Sequence, residues 1–99
     1  MNATVVRYTV HTQHAEENAA LIAAVFEALE RRRPVGVSYT AMRAKDGVTF
    51  THVASVDPTL PEHPLTTLAE FKAFVAGIRA RCVEPPQQLE STVLGRFQG

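Results

Sequence analysis

A chain of 99 residues, 45% of them hydrophobic, has material for one modest core, and we read it as one domain over residues 1–99. Ten Lys and Arg balance ten Asp and Glu, so charge gives no reason to expect a nucleic acid or an acidic membrane surface as partner. The single cysteine excludes an intramolecular disulfide and a multi-cysteine metal site, and no apolar run approaches the roughly 20 residues that span a bilayer. With no leader-like start, the expected location is cytoplasmic.

Thr4 to His11 alternates as a strand, with Val6, Tyr8 and Val10 on one face and Val5, Arg7, Thr9 and His11 on the other. From Ala15 to Arg32, Leu21, Ile22, Val25, Phe26 and Leu29 recur at helical spacing. Glu16 and Glu17 suit the positive end of that helix's dipole and Arg31 to Arg33 the negative end, and Pro34 and Gly36 stop it.

The stretch VSYTAMRAKDGVTFTHVAS, Val37 to Ser55, reads as a hairpin on a two-residue Asp46-Gly47 loop of type I′. That loop sets Arg43 against Phe50, Ala41 against His52, Tyr39 against Ala54 and Val37 against Val56 on one face. Ser38, Thr40, Met42, Thr49, Thr51, Val53 and Ser55 fall on the other. Next, Pro58, Pro61 and Pro64 recur every third residue, the period of a polyproline II connector. A second helix is expected from Thr67, where TLAE has the form of a capping box, with Leu68, Phe71, Phe74, Val75, Ile78 and Cys82 along one face and Pro85 and Pro86 as its stop. Gln88 to Phe97 alternates enough for a closing strand.

The order β-α-β-β-α-β predicts an α+β, ferredoxin-like fold: a four-stranded antiparallel sheet with two helices on one face. The helix stripes bury against the face carrying Val37, Tyr39, Phe50, Ala54 and Val56. The opposite face, with Ser38, Thr40, Met42, Thr51 and Val53, is left for a second copy of the chain, giving a two-fold homodimer.

The pattern resembles the dimeric α+β barrel superfamily, and within it the antibiotic biosynthesis monooxygenase-like proteins. VVRYTVHTQHAEENAALIAAVFEAL resembles that family's first strand and helix, GVSYTAMRAKDGVTFTHVAS its central hairpin and PLTTLAEFKAFVAGI its second helix. Thr12 and Gln13 stand where members commonly have Pro-Gly, Ser55 to Asp57 where they have an aromatic-acidic pair, and the chain has no tryptophan. The missing tryptophan and the lack of a histidine on the second helix tell against the haem-degrading branch. The resemblance implies a small monooxygenase-like protein, in one form a cofactor-independent oxygenase of a phenolic or polycyclic aromatic molecule. Fold alone does not carry activity across.

His52 is the titratable group that the hairpin register directs inward, where it could serve as catalytic base, or equally as a hydrogen-bonded core histidine. Tyr39 and Arg43 share its face as candidate substrate-binding residues, although an arginine near a hairpin tip also snorkels readily to water. Asn18, one turn before Ile22, could present an amide to the same pocket or to solvent. His11 and His14 lack a nearby carboxylate at ligand spacing and make a poor metal site; His63 reads as exposed and Cys82 as a small buried hydrophobe. No metal-ligand cluster or glycine-rich phosphate loop is present, so an enzyme is expected to work without metal, haem or flavin. The alternative class is a non-catalytic dimeric module that binds a small aromatic molecule or is purely structural.

Overall fold

The computed structural model describes residues 2–99. Strand β1 (Asn2–Thr9) leads through a 3-10 turn at Thr12–His14 into helix α1 (Ala15–Arg32), followed by β2 (Val37–Arg43) and β3 (Thr49–Val56). Helices α2 (Ala69–Ala76) and α3 (Ile78–Arg81) precede the last strand, β4 (Gln87–Thr92). The strands form one sheet in the order β2-β3-β1-β4, every neighbouring pair antiparallel. This is the α+β, ferredoxin-like architecture that the order of elements predicts.

The hairpin register is the expected one, with Arg43 against Phe50, Ala41 against His52 and Tyr39 against Ala54. Its turn is not. Gly47 has φ 81°, but Asp46 is not among the positive-φ residues, so the loop is not type I′. Instead the Gly47 amide donates to the Ala44 carbonyl at 3.0 Å and the Ala44 amide to Thr49 at 2.8 Å, a four-residue turn closed by a left-handed glycine. The Asp46 carboxylate braces the turn: it accepts from the amides of Val48 and Thr49 at 2.9 Å each and from the Thr49 hydroxyl at 2.7 Å.

Other expectations need correction too. The TLAE capping box does not form: the Thr67 hydroxyl donates to the His63 carbonyl at 2.8 Å, and Glu70 accepts instead from Arg31 of α1 at 3.3 Å. The proline-rich strap folds as successive turns, with Asp57 accepting from the amide and hydroxyl of Thr59 at 2.9 and 2.7 Å, and it tucks Leu65 into the interior at 2% exposure. The closing strand ends at Thr92 rather than Phe97, because Thr92 pairs with Asn2, where β1 begins among the described residues; Leu94 and Phe97 beyond it are 98% and 90% exposed.

Tyr8, Val10, Val25, Phe50, Phe74 and Cys82 form the buried cluster between sheet and helices. The second helical segment is not continuous. It breaks at Gly77 (φ −108°, ψ 9°), and α3 turns Arg81 inward, leaving Cys82 extended and bridged to Val10. No described helix is long and apolar enough to cross a membrane.

Candidate functional site

A cavity of about 1360 Å³ lies between the helix-bearing face of the sheet and α2 with the strap. Its inner wall includes Tyr8, Tyr39, His52, Phe71, Phe74 and Ile78; toward solvent it is lined by polar and charged groups, among them Gln88, Glu90, Arg79 and Arg96. An apolar chamber with a few convergent polar atoms is the usual form of a small-molecule site.

The sheet register brings three of those polar atoms together. On β3, His52 points inward between Phe50 and Ala54. Tyr39 of β2 sits opposite Ala54 and Tyr8 of β1 opposite Phe50, so each strand beside β3 offers a tyrosine diagonally to His52, one toward each end. The directly opposed residues, Ala41 and Val6, are small enough to leave the imidazole room. Both ring nitrogens are taken: Tyr8 Oη lies 2.7 Å from Nε2 and Tyr39 Oη 2.6 Å from Nδ1. The imidazole also stacks with Tyr8 and Tyr39 at centroid distances of 5.4 and 5.7 Å and meets Phe74 at 5.2 Å.

The chain of hydrogen bonds continues behind Tyr8. Asn18, in the first turn of α1 and fully buried, donates from Nδ2 to Tyr8 Oη at 3.0 Å. Arg81, 4% exposed, donates from Nε to Asn18 Oδ1 at 2.9 Å and from a terminal nitrogen to the Phe74 carbonyl at 2.7 Å, with its guanidinium 5.4 Å from the Phe74 ring centre. The Gly77 break makes this possible, because it lets the Arg81 side chain fold back along α2 to a carbonyl near the helix end.

Burial governs the ionisation of the site. It pushes the His52 pKa down to about 4, so the imidazole is neutral at pH 7. The sequence suggests His52 as a base; here it is a weak one, with a hydroxyl on each nitrogen. Burial also raises the Tyr39 hydroxyl well above its usual value and pushes Tyr8 up to about 12, against the opposing hydrogen bond from Asn18. Both phenols are therefore protonated donors near neutrality.

The other candidates stand outside the triad. Arg43 does not line the cavity: it donates to Glu16 at 2.7 Å and to the Gly47 carbonyl at 2.9 Å, tying the hairpin tip to α1. Asn18 stands behind Tyr8 rather than in the wall. His14 pairs with Glu17 at 2.9 Å, and His63, exposed in the part of the cavity lining that the strap supplies, accepts from the amides of Leu65 and Thr66 at 3.2 Å, a turn-forming role. Cys82 is buried, which raises its thiol pKa. Sequence reasoning missed Arg81 and the part played by Tyr8. The available signals were an isolated glycine in a helical pattern and an asparagine on an apolar helix face that needs a buried partner.

These features define a ferredoxin-like α+β protein with an aromatic-walled cavity opening from a buried hydrogen-bonded triad. No family model matches the chain, and no curated protein does. Solved structures do. A proposed antibiotic biosynthesis monooxygenase from Nitrosomonas europaea superposes with a TM-score of 0.75 at 15% identity, over 96% of this chain and 100% of that one. One from Bacteroides thetaiotaomicron gives 0.77 at 17% identity, over 99% and 94%. SnoaB, a cofactor-independent oxygenase from Streptomyces nogalater, gives 0.67 at 19% identity, over 99% and 97%. The chain therefore shares the fold of the antibiotic biosynthesis monooxygenase-like structures over nearly its whole length.

Proposed function

We propose that the protein is a cofactor-independent oxygenase of a phenolic or polycyclic aromatic small molecule. The observation that carries this reading is the aromatic-walled cavity ending on the Tyr39-His52-Tyr8 triad. The rings of Tyr39, Phe71 and Phe74 offer stacking surfaces to a planar substrate. The Tyr39 hydroxyl can donate to the substrate's oxygen, and such a bond favours the ionised substrate more strongly in a partly dry site than in water. For an anthrone, a ring-methylene proton passes to water at the solvent-facing side of the cavity, leaving an electron-rich anion that bonds to dioxygen at that carbon; the peroxide so formed takes a proton back from water, and loss of water then leaves the quinone. Anthrone plus dioxygen gives anthraquinone plus water, and both electron pairs removed come from the substrate, so the balance needs no redox cofactor. His52 holds Tyr39 in place behind the reacting edge.

Oxygen uptake tests the reading. Purified protein should accelerate oxygen consumption by an anthrone or a hydroquinone, and His52→Ala and Tyr39→Phe should abolish the acceleration while remaining folded. Undiminished turnover in both variants places the chemistry elsewhere. Saturable binding of these compounds without turnover makes the protein a binding module.

The same reading takes the protein as a two-fold homodimer through the helix-free face. Leu89, Val5 and Val53 form a row across that face, and Met42 on it is 50% exposed. Light scattering at micromolar concentration should give twice the 10.8 kDa of one chain. A mass near that of one chain overturns the dimer.

A further inference from the structure

The hydrogen-bond chain behind the cavity has a direction, and an arginine sets it. A guanidinium only donates, so the Asn18 atom 2.9 Å from Arg81 Nε is the amide oxygen, and the amide nitrogen is left to face Tyr8. Asn18 therefore donates to Tyr8 Oη. A phenol oxygen that accepts from one neighbour turns its own proton toward the other, and the other neighbour is His52 Nε2 at 2.7 Å. With Nε2 accepting, the neutral imidazole carries its proton on Nδ1 and donates it to Tyr39 Oη at 2.6 Å. The opposite direction would leave the Tyr8 hydroxyl proton without an acceptor in a residue 4% exposed. Tyr39 is half-buried in the cavity wall, and its own O–H remains free.

We infer that Arg81, acting through Asn18 and Tyr8, is a positioning residue that fixes His52 as the Nδ1–H tautomer and leaves the Tyr39 hydroxyl as a donor to the cavity. The site then selects planar ligands that present an acceptor oxygen, a phenolate or a ring carbonyl. The ligand half of this inference rests on the proposed function; the proton direction stands on the hydrogen bonds alone.

Nitrogen-15 spectra of protein labelled at the histidine ring nitrogens test it, with the His52 signals assigned by their loss in His52→Gln. The wild type should show the proton on Nδ1. In Asn18→Asp, nearly equal in size, the new carboxylate accepts from both Arg81 and the Tyr8 hydroxyl, so Tyr8 must accept from His52, and the imidazole proton should move to Nε2. Tyr39 then donates to Nδ1, and the cavity loses its donor. Fluorenone should bind about tenfold more weakly to Asn18→Asp than to wild type, whereas fluorene, the same shape without the carbonyl, should bind both alike. An Nε2–H tautomer in the wild type overturns the proton direction, and so does an unchanged tautomer in a folded Asn18→Asp. The wild-type spectrum decides the matter if the variant does not fold. Equal fluorenone affinity for both proteins, with the tautomer reversed, overturns ligand selection alone. Absence of oxygen uptake bears only on the proposed reaction.

Discussion

Arg81 Nε donates to Asn18 Oδ1 across 63 positions of sequence, joining the end of α3 to the first turn of α1 beneath the cavity. Among the described residues no carboxylate pairs with this buried guanidinium, so neutral acceptors and the Phe74 ring compensate its desolvation. The arrangement is vulnerable from both sides. Removing the cation spares its desolvation cost but strands the amide and carbonyl oxygens built to receive it.

Arg81→Met retains much of the volume and loses both donors. Leaving Asn18 Oδ1 and the Phe74 carbonyl unpaired in the interior should lower stability by roughly 2–4 kcal/mol. Urea unfolding should show a lower midpoint at unchanged slope. An unchanged midpoint would mean that water or a neighbouring donor reaches both oxygens.

Gly77→Ala sets two effects against each other. At φ −108° alanine fits the backbone without strain, and by restricting the unfolded chain it should stabilise by about 0.4–1 kcal/mol. Its Cβ, however, would stand 2.9 Å from an Arg81 terminal nitrogen whose guanidinium is held by Asn18 and Phe74 and cannot swing aside freely. We predict a net loss of about 1 kcal/mol in the wild type and a neutral or stabilising effect in the Arg81→Met background. A double-mutant cycle in urea measures that difference; additive effects would show that Arg81 does not restrain position 77.

The contrast between His52 and Arg81 shows what the sequence makes legible. His52 could be placed inward with Tyr39 two residues along the facing strand because Asp46-Gly47 lies between two alternating runs, and that inference survived a wrong turn type. The pairing of β1 with β3 has no such local marker. No tight turn joins the two strands, so nothing in the chain sets Tyr8 opposite Phe50 and within reach of His52. Arg81 reads as one more cation at a basic helix end. It turns inward after the Gly77 break, onto acceptors on α1 and α2 that are distant in sequence or set by the fold. The capping box failed for a related reason: Glu70 finds Arg31 on the neighbouring helix, a partner that no local pattern announces.

Gly47 remains the hinge of the hairpin although the turn differs from the expected one. At φ 81° a β-branched side chain is strained, whereas the nearest side-chain atom to an added Cβ, an Arg43 nitrogen, is 3.8 Å away. Gly47→Val should therefore destabilise by about 1 kcal/mol or more through backbone strain and not through a clash. Thermal unfolding should show a lower Tm for Gly47→Val and a smaller loss for Gly47→Asn, which tolerates the left-handed region. Equal losses would point to side-chain crowding.

Stability should depend on pH through His52, with a definite sign. Its pKa falls from 6.5 to about 4 on folding because burial disfavours the cation. Between those values the unfolded chain binds the extra proton, so stability rises with pH, is fully present above about pH 7, and is lost as pH falls toward 4. The gap corresponds to about 3 kcal/mol, of which roughly 2 kcal/mol should be gone by pH 5. Glu16, Asp46 and Asp57, whose hydrogen bonds hold their pKa values below the usual carboxylate range, add losses of the same sign only at lower pH, as each is protonated. The interval from pH 7 to 5 therefore isolates the histidine. Urea midpoints at fixed protein concentration should fall steeply across that interval in the wild type and much less in His52→Gln, which has nothing to protonate at that position. Parallel pH profiles for the two proteins would show that His52 takes up a proton as readily in the folded chain as in the unfolded one, contrary to its burial between two phenols.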